Sequence, residues 1–156
     1  MTAVALPITC ALLLSMPLFS CAGKRPANLG VEGSRLAPCP SSPNCVSSDA
    51  ADSTHSIAAF ALAIPSRDAW LAVRGSVESL PRTKIISETD DYLHAECTSA
   101  FFGFVDDLEL HLRTSEGVIA VRSASRLGYS DLGVNRRRIE DLRTLLIKQG
   151  IVGPLA

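Results

Sequence analysis

Aromatic residues make up only 5% of this 156-residue sequence, so its core must be built mostly from aliphatic side chains. Neither sign of charge prevails: the formal net charge is −1, and none of the first 20 residues carries a charged side chain. A general nucleic-acid-binding domain would usually be strongly basic, so nucleic acid is not an expected partner. There is no internal repeat, no Cys-x-x-Cys pair, no histidine at zinc-finger spacing after the cysteines and no nucleophile-elbow motif. Nothing in the sequence asks for a cofactor or assigns a metal. The one long apolar run, Ala3 to Phe19, is interrupted by Pro7 and Pro17. It is too short for a good membrane-spanning helix, which needs about 20 apolar residues.

That run suits the apolar region of an export signal. It ends in Leu18-Phe19-Ser20-Cys21-Ala22-Gly23, which resembles the bacterial lipobox: an aliphatic residue three before a cysteine and a small residue directly before it. Phe19 is bulkier than the usual middle residue, and the start of the run lacks the usual Lys or Arg. The alternative is an ordinary secreted protein cut near the same place. The lipobox reading makes residues 1–20 a signal peptide and Cys21 the lipidated first residue of the mature protein. Acyl chains such as palmitate would then hold it at a membrane, each buried methylene contributing about 0.8 kcal/mol. Ala22 after the cysteine resembles the pattern that, in enteric bacteria, sends lipoproteins to the outer membrane. The expected location is the cell envelope, lipid-anchored and facing the periplasm.

Five cysteines are present. Cys10 leaves with the leader and Cys21 takes the lipid, so Cys39, Cys45 and Cys97 remain. Cys39 and Cys45 flank a proline-stiffened stretch, Pro40-Ser41-Ser42-Pro43-Asn44, whose ends meet easily. An exported chain keeps disulfides. A Cys39–Cys45 bridge closes a small ring and would stabilise by about 2 kcal/mol. Cys97 shares a strand face with Leu93 and Ala95 and reads as a buried thiol.

The length fits one domain. Residues 21–35 read as a flexible tether, 36–150 as a single folded domain and 151–156 as a tail. Residues 56–64 could form a short strand. Pro65 and Ser66 then open a helix whose Trp70, Val73, Val77 and Leu80 share one face, stopped by Pro81. Strands follow at 83–89, 92–99, 105–113 and 118–126, the middle two alternating strictly between apolar and polar residues. A last helix spans about 136–149, with Asn135 as its N-cap and Gly150 as its stop. The expected fold class is α+β: an antiparallel sheet of four to five strands with two helices packed on one face and a polar, solvated opposite face.

Several blocks carry a resemblance. Leu36-Ala37-Pro38-Cys39-Pro40, Ser42-Pro43-Asn44-Cys45-Val46-Ser47-Ser48, Phe104-Val105-Asp106-Asp107 and the long run from Arg122 to Arg136 together look like the domain-of-unknown-function 1499 family, over roughly residues 36–148. The resemblance implies a small domain, often exported, and carries over no catalytic residue.

Chemistry concentrates at one edge. Arg122, Arg126, Arg136, Arg137 and Arg138 fall within 17 residues. Three of them occupy the first turn of the last helix, where the helix dipole disfavours cations. An anion site would explain this: free N–H groups at the helix start, the guanidinium forks of Arg122, Arg126, Arg136 and Arg137, and polar groups from Ser123, Ser125, Ser130 and Asn135. Internal pairing with Asp106, Asp107, Asp131 or Glu140 would explain it equally. Asp106 and Asp107 are adjacent on a strand and point to opposite faces. Asp106, on the leucine face, reads as a structural ion pair with Arg126 or Arg136. A regular turn at 114–117 would set Asp106 opposite Ser125 and Glu109 opposite Arg122. On the polar face, His94, Glu109 and His111 would make a zinc site only if a third strand aligned them. Phe101-Phe102-Gly103-Phe104 is either an exposed apolar contact or core with a tight bend.

The reading that results is a membrane-anchored envelope module that binds an anionic ligand (a lipid head group or a glycan) or an envelope protein. The alternative is an envelope hydrolase or metal-dependent enzyme using Asp106, Asp107, His94 and His111. A passive structural or assembly protein is the third possibility.

Overall fold

A computed structural model describes residues 22–154. Residues 1–21, on which the export-signal and lipidation readings fall, and the last two residues lie outside the described part. In chain order the elements are a small hairpin, β1 (Val31–Glu32) and β2 (Arg35–Leu36); then β3 (Cys45–Ser47), β4 (Phe60–Ala61), α1 (Ser66–Glu78), β5 (Thr83–Glu88), β6 (Tyr92–Thr98), β7 (Val105–Arg113), β8 (Val118–Ser125) and α2 (Val134–Lys148). The main sheet has six strands in the order β3-β8-β7-β6-β5, with β4 also pairing to β8, and every named pair is antiparallel.

The α+β architecture is the one expected, with a wider sheet. The Cys39–Cys45 disulfide closes the proline-rich loop and leads directly into β3, which sets Cys45 opposite Ala124 and Ser47 opposite Arg122. Of the apolar stretch 56–64, only Phe60 and Ala61 pair as a strand, opposite Ile119 and Val118. The 114–117 turn keeps the β7–β8 register regular: Asp106 faces Ser125 and Glu109 faces Arg122, as the turn length implied.

The alternation of β6 and β7 puts Leu93, Ala95, Cys97, Leu108, Leu110 and Leu112 on one face. They form one buried cluster with Trp70, Val73 and Val77 of α1 and Ile139, Leu142 and Leu146 of α2. Truncating a fully buried leucine such as Leu110 in this cluster costs about 2–5 kcal/mol. Arg143 of α2 is also buried. It donates to the carbonyls of Ala58 and Ala59, and its guanidinium lies 4.8 Å from the Phe60 ring centroid. This ties the 57–60 segment to the helix.

The start of α2 differs from the expectation. Its N-cap is Gly133, in the left-handed conformation at φ +78° that glycine adopts readily. Asp131 supplies the capping carboxylate, accepting hydrogen bonds from the Gly133 and Asn135 amides. Asn135 lies in the first turn and turns inward. At the other end Gly150, at φ +72°, closes the helix as its position suggested.

The opposite face of the sheet is where the expectation fails. Alternation alone implies a solvated face, yet His94, Asp107, Glu109, His111 and Arg122 are all buried. Residues 22–36, of which all but Leu36 fall in the stretch whose composition suggests a tether, lie across it as a strap. Arg25 pairs with Glu96, the Gly30 amide donates to Glu109, and the Leu36 amide donates to Asp49. The strap covers polar groups with polar groups and so carries little apolar signal.

Because the disulfide bounds the loop that leads into β3, Cys39→Ser and Cys45→Ser should each lower unfolding stability by about 2 kcal/mol. The double variant should lose no more than either single one. Urea denaturation of the three variants checks this, and additive losses would mean that the two thiols act separately.

Candidate functional site

The covered polar face is built around four carboxylates, Glu109, Glu96, Asp107 and Asp49, each paired with an arginine. Glu109 of β7 has no exposed surface. Its Oε1 accepts hydrogen bonds from the Gly30 amide and the Tyr92 hydroxyl, each at 2.8 Å, and its Oε2 accepts one from Arg122 at 2.7 Å. Burial, followed by the Glu109 charge and hydrogen bond, pushes the Tyr92 phenol far up, so it stays a donor.

Two positions along the sheet, Glu96 stands directly opposite Asp107 in the β6–β7 register. Like charges so placed repel, and Arg126 resolves the conflict by donating to both carboxylates. Arg25 of the strap adds a second cation to Glu96. His94 donates from Nε2 to Asp107 at 2.8 Å. Burial pushes the Asp107 carboxyl up, but hydrogen bonds from Arg126 and His94 outweigh it and hold the group below the ordinary carboxylate range. Glu96 is held down in the same way by Arg126 and Arg25 against its burial. The hydrogen bond to Asp107 leads the causes that raise Arg126. Farther along, Arg113 donates to Asp49 at 2.6 Å, and Asp49 is likewise held low despite its burial. Burial, then the Arg113 charge, pushes His111 down.

A second polar cluster lies on the helix-bearing face, under the start of α2. Asp106 pairs with Arg138 at 2.6 Å, rather than with Arg126 or Arg136 as expected. Arg138 lies one turn inside α2 and reaches over β8 to Asp106 on β7. It also donates to Ser123 and Asn135. Asn135 donates to the Asn44 carbonyl and to Ser125. These side chains tie β3, β7, β8 and α2 together at one end of the sheet.

The sequence-predicted anion residues therefore do not form one site. Arg122 and Arg126 belong to the strap-covered face. Ser123, Ser125 and Asn135 belong to the cluster under α2. Ser130 is exposed and accepts from the Leu132 amide. Arg136 donates to the Thr54 and Ser56 carbonyls, and Arg137 to the Leu132 carbonyl. Asp131 takes two of the N–H groups at the helix start that an anion would have used. Asp106 and Asp107 point to opposite faces, as adjacent strand residues must. His111 faces Tyr92 rather than His94 across the β6–β7 pair. Among the described residues, no three His, Cys, Asp or Glu side chains converge as a metal site.

One cavity joins these features to the surface. It has a volume of about 360 Å³ and lies between the strap and the sheet, beside the disulfide loop. Arg122, Arg126, Asp107, Ser125, Asn28 and Cys39 are among its lining residues. Arg122 Nε is buried and has no hydrogen-bond partner. The alternation of the strands signalled Arg122, Asp107 and Tyr92 on one face, but not Asn28, the strap or the turn of Arg126 toward Asp107. The β6–β7 register, which no turn length implied, sets Glu96 against Asp107 and so calls for a shared cation.

Residues 35–146 match the family described as "Protein of unknown function (DUF1499)". No curated protein and no solved structure shows a match.

The folded pKa values of Asp49, Glu96 and Asp107 lie below their unfolded values, which are near about 4. Their contribution to stability is therefore complete above that range and is lost as pH falls through the folded values. Urea midpoints should fall steeply between about pH 4.5 and pH 3. Asp107→Asn, which leaves a buried guanidinium short of a partner, should cost about 3 kcal/mol at pH 6 and flatten that dependence. An unchanged acid limb in the variant would show that Asp107 does not contribute to it.

Proposed function

The chain belongs to the DUF1499 family, and on that premise we propose that it is a cell-envelope lipoprotein, anchored through Cys21, whose domain binds a small anionic group. The group would be the phosphate, sulfate or carboxylate of a lipid head group or glycan. The anchored chain would face the periplasm, with Ala22 favouring the outer membrane. No helix among the described residues is long and apolar enough to cross a membrane.

One observation carries the binding reading: the buried, unpartnered Nε of Arg122 beside a cavity that Arg126 also lines. A buried donor without a partner costs about 1–3 kcal/mol. A small turn of the guanidinium toward the cavity would let a ligand oxygen relieve that cost. The other guanidiniums described above already have protein partners, and Arg136 and Arg137 are tied to backbone carbonyls at the outer edge. They would supply positive field rather than a formed pocket.

A second reading, an envelope hydrolase, has the His94–Asp107 pair in its favour, since Asp107 lines the same cavity. The other half of that reading, Asp106, lies on the far face of the sheet.

Titration of the full chain carrying Cys21→Ser with inorganic phosphate and with sulfate separates these. Removing Arg122 would strand the buried Glu109, so the informative variant is Asn28→Trp, which blocks the cavity from an exposed strap position. It should weaken anion binding about tenfold or more, a loss of about 1.4 kcal/mol, while Arg137→Ala stays within about twofold. Equal affinity in wild type and Asn28→Trp would remove the cavity as the site. Ester hydrolysis abolished by His94→Gln would instead favour the hydrolase.

A further inference from the structure

The loops at one end of the sheet expose their largest apolar side chains. In the β6–β7 loop, Phe101 is 93% exposed and Phe102 71%. In the loop from β8 to α2, Tyr129 is 75% and Leu132 83% exposed. A backbone bond from Ser99 to Phe104 closes the first loop, and one from Arg126 to Val105 joins its base to that of the second. Such a concentration is unusual in a chain with so few aromatics, because exposed apolar patches mark contact surfaces.

The path of the chain says what covers it. Gly23 packs at this same end: a β-carbon there would meet the Arg126 β-carbon at 2.9 Å and Leu127 Cγ at 3.0 Å. Only Ala22 separates Gly23 from Cys21, two steps along the chain with a reach of at most about 7 Å. Acyl chains on Cys21 would therefore enter the membrane beside Leu127, with no slack to let the domain stand away from it. Cations surround the patch. Lys24 follows Gly23, Arg137 donates to the Leu132 carbonyl, and Arg82 donates to the Thr98 carbonyl at the base of the Phe101 loop. Arg82, Ala100, Val134 and Arg137 line one cavity, with Asp106 and Asp141, which sets the β6–β7 loop and both arginines beside the start of α2.

We propose that this end of the domain docks directly on the lipid bilayer, with Phe101, Phe102, Tyr129 and Leu132 entering the interfacial layer and the cations meeting anionic head groups. The proposal rests on the anchored-lipoprotein reading above. Aromatic rings suit the interface, where an apolar body and a polar edge are both satisfied. Acyl chains and an apolar patch then act as two linked membrane contacts, which hold far better than one. The domain is fixed in orientation, with the opposite end, bearing the 89–91 and 114–117 turns, facing away.

The test uses the full chain, purified from bacterial membranes, with Trp70→Phe to remove the native tryptophan and Phe102→Trp as the probe. It is reconstituted into phosphatidylethanolamine–phosphatidylglycerol vesicles whose acyl chains are brominated. Fluorescence at position 102 should fall by about half or more, as expected for a ring at the bilayer interface. Leu71→Trp, at the far end on α1 and exposed in the parent at 59%, should be unquenched. In the Cys21→Ser chain, replacing Phe101 and Leu132 with Ser should weaken binding to the same vesicles about tenfold or more. No quenching at position 102 on vesicle-bound chain overturns the proposal. So does a detergent-stable dimer that the Phe101 and Leu132 changes dissolve, since the patch would then join two copies. The mass of Cys21 is read separately. An unlipidated Cys21 with position 102 still quenched removes the anchor and leaves the docking surface standing.

Discussion

The structure depends on a carboxylate placed where solvent cannot reach it. Glu109 lies at the middle of the central strand β7, with β6 on one side and β8 on the other. A lone buried carboxylate is costly enough to disrupt a fold of this size. Here three donors from three parts of the chain meet it: Tyr92, Arg122 and the Gly30 amide. The first two are cross-strand neighbours on the sheet. The third comes from the strap, so satisfying Glu109 fully requires residues 22–36 to cross the sheet. The Arg25–Glu96 and Leu36–Asp49 contacts then fasten the strap on either side of that point.

This explains why the domain has two unlike faces, both covered. One is an aliphatic core under two helices, as the shortage of aromatics demanded. The other is a layer of matched charges under a strap with little apolar surface. Matched buried charges contribute little net stability compared with an apolar layer, but they admit few alternative pairings. Arg126 bridging Glu96 and Asp107 fixes the strap's neighbourhood, and the cavity beside Arg122 forms where the strap and the disulfide loop do not quite meet. The docking of the strap also places Gly23 at the end of the sheet that carries the exposed aromatic loops.

Much of the fold was legible in the sequence. The alternation in β6 and β7, the turn at 114–117, the helical faces of α1 and α2 and the close cysteines each reported a local constraint that the folded chain keeps. Even the β7–β8 register followed from the turn length. What could not be read was the burial of the polar face. Alternation says that His94, Asp107, Glu109 and Arg122 share a side, not whether water covers it. Their cover works through backbone amides and one arginine, which leave no apolar periodicity. The arginine edge misled for a related reason. Five arginines close in sequence are divided between two faces of a sheet and the outside of a helix, and the capping role expected of Asn135 went to Asp131 instead. The exposure of Phe101 and Phe102 was left open by composition, because a phenylalanine run fits a core and a contact surface equally well.

The central claim is that the strap is part of the folded domain, held through Glu109, and amide hydrogen exchange of the full chain tests it most directly. The Gly30 and Leu36 amides should exchange at least about a hundredfold more slowly than in an unstructured peptide. In Glu109→Gln that protection should fall across residues 23–36 while β6, β7 and β8 stay protected. Exchange of the wild-type strap at the rate of an unstructured chain would contradict the account.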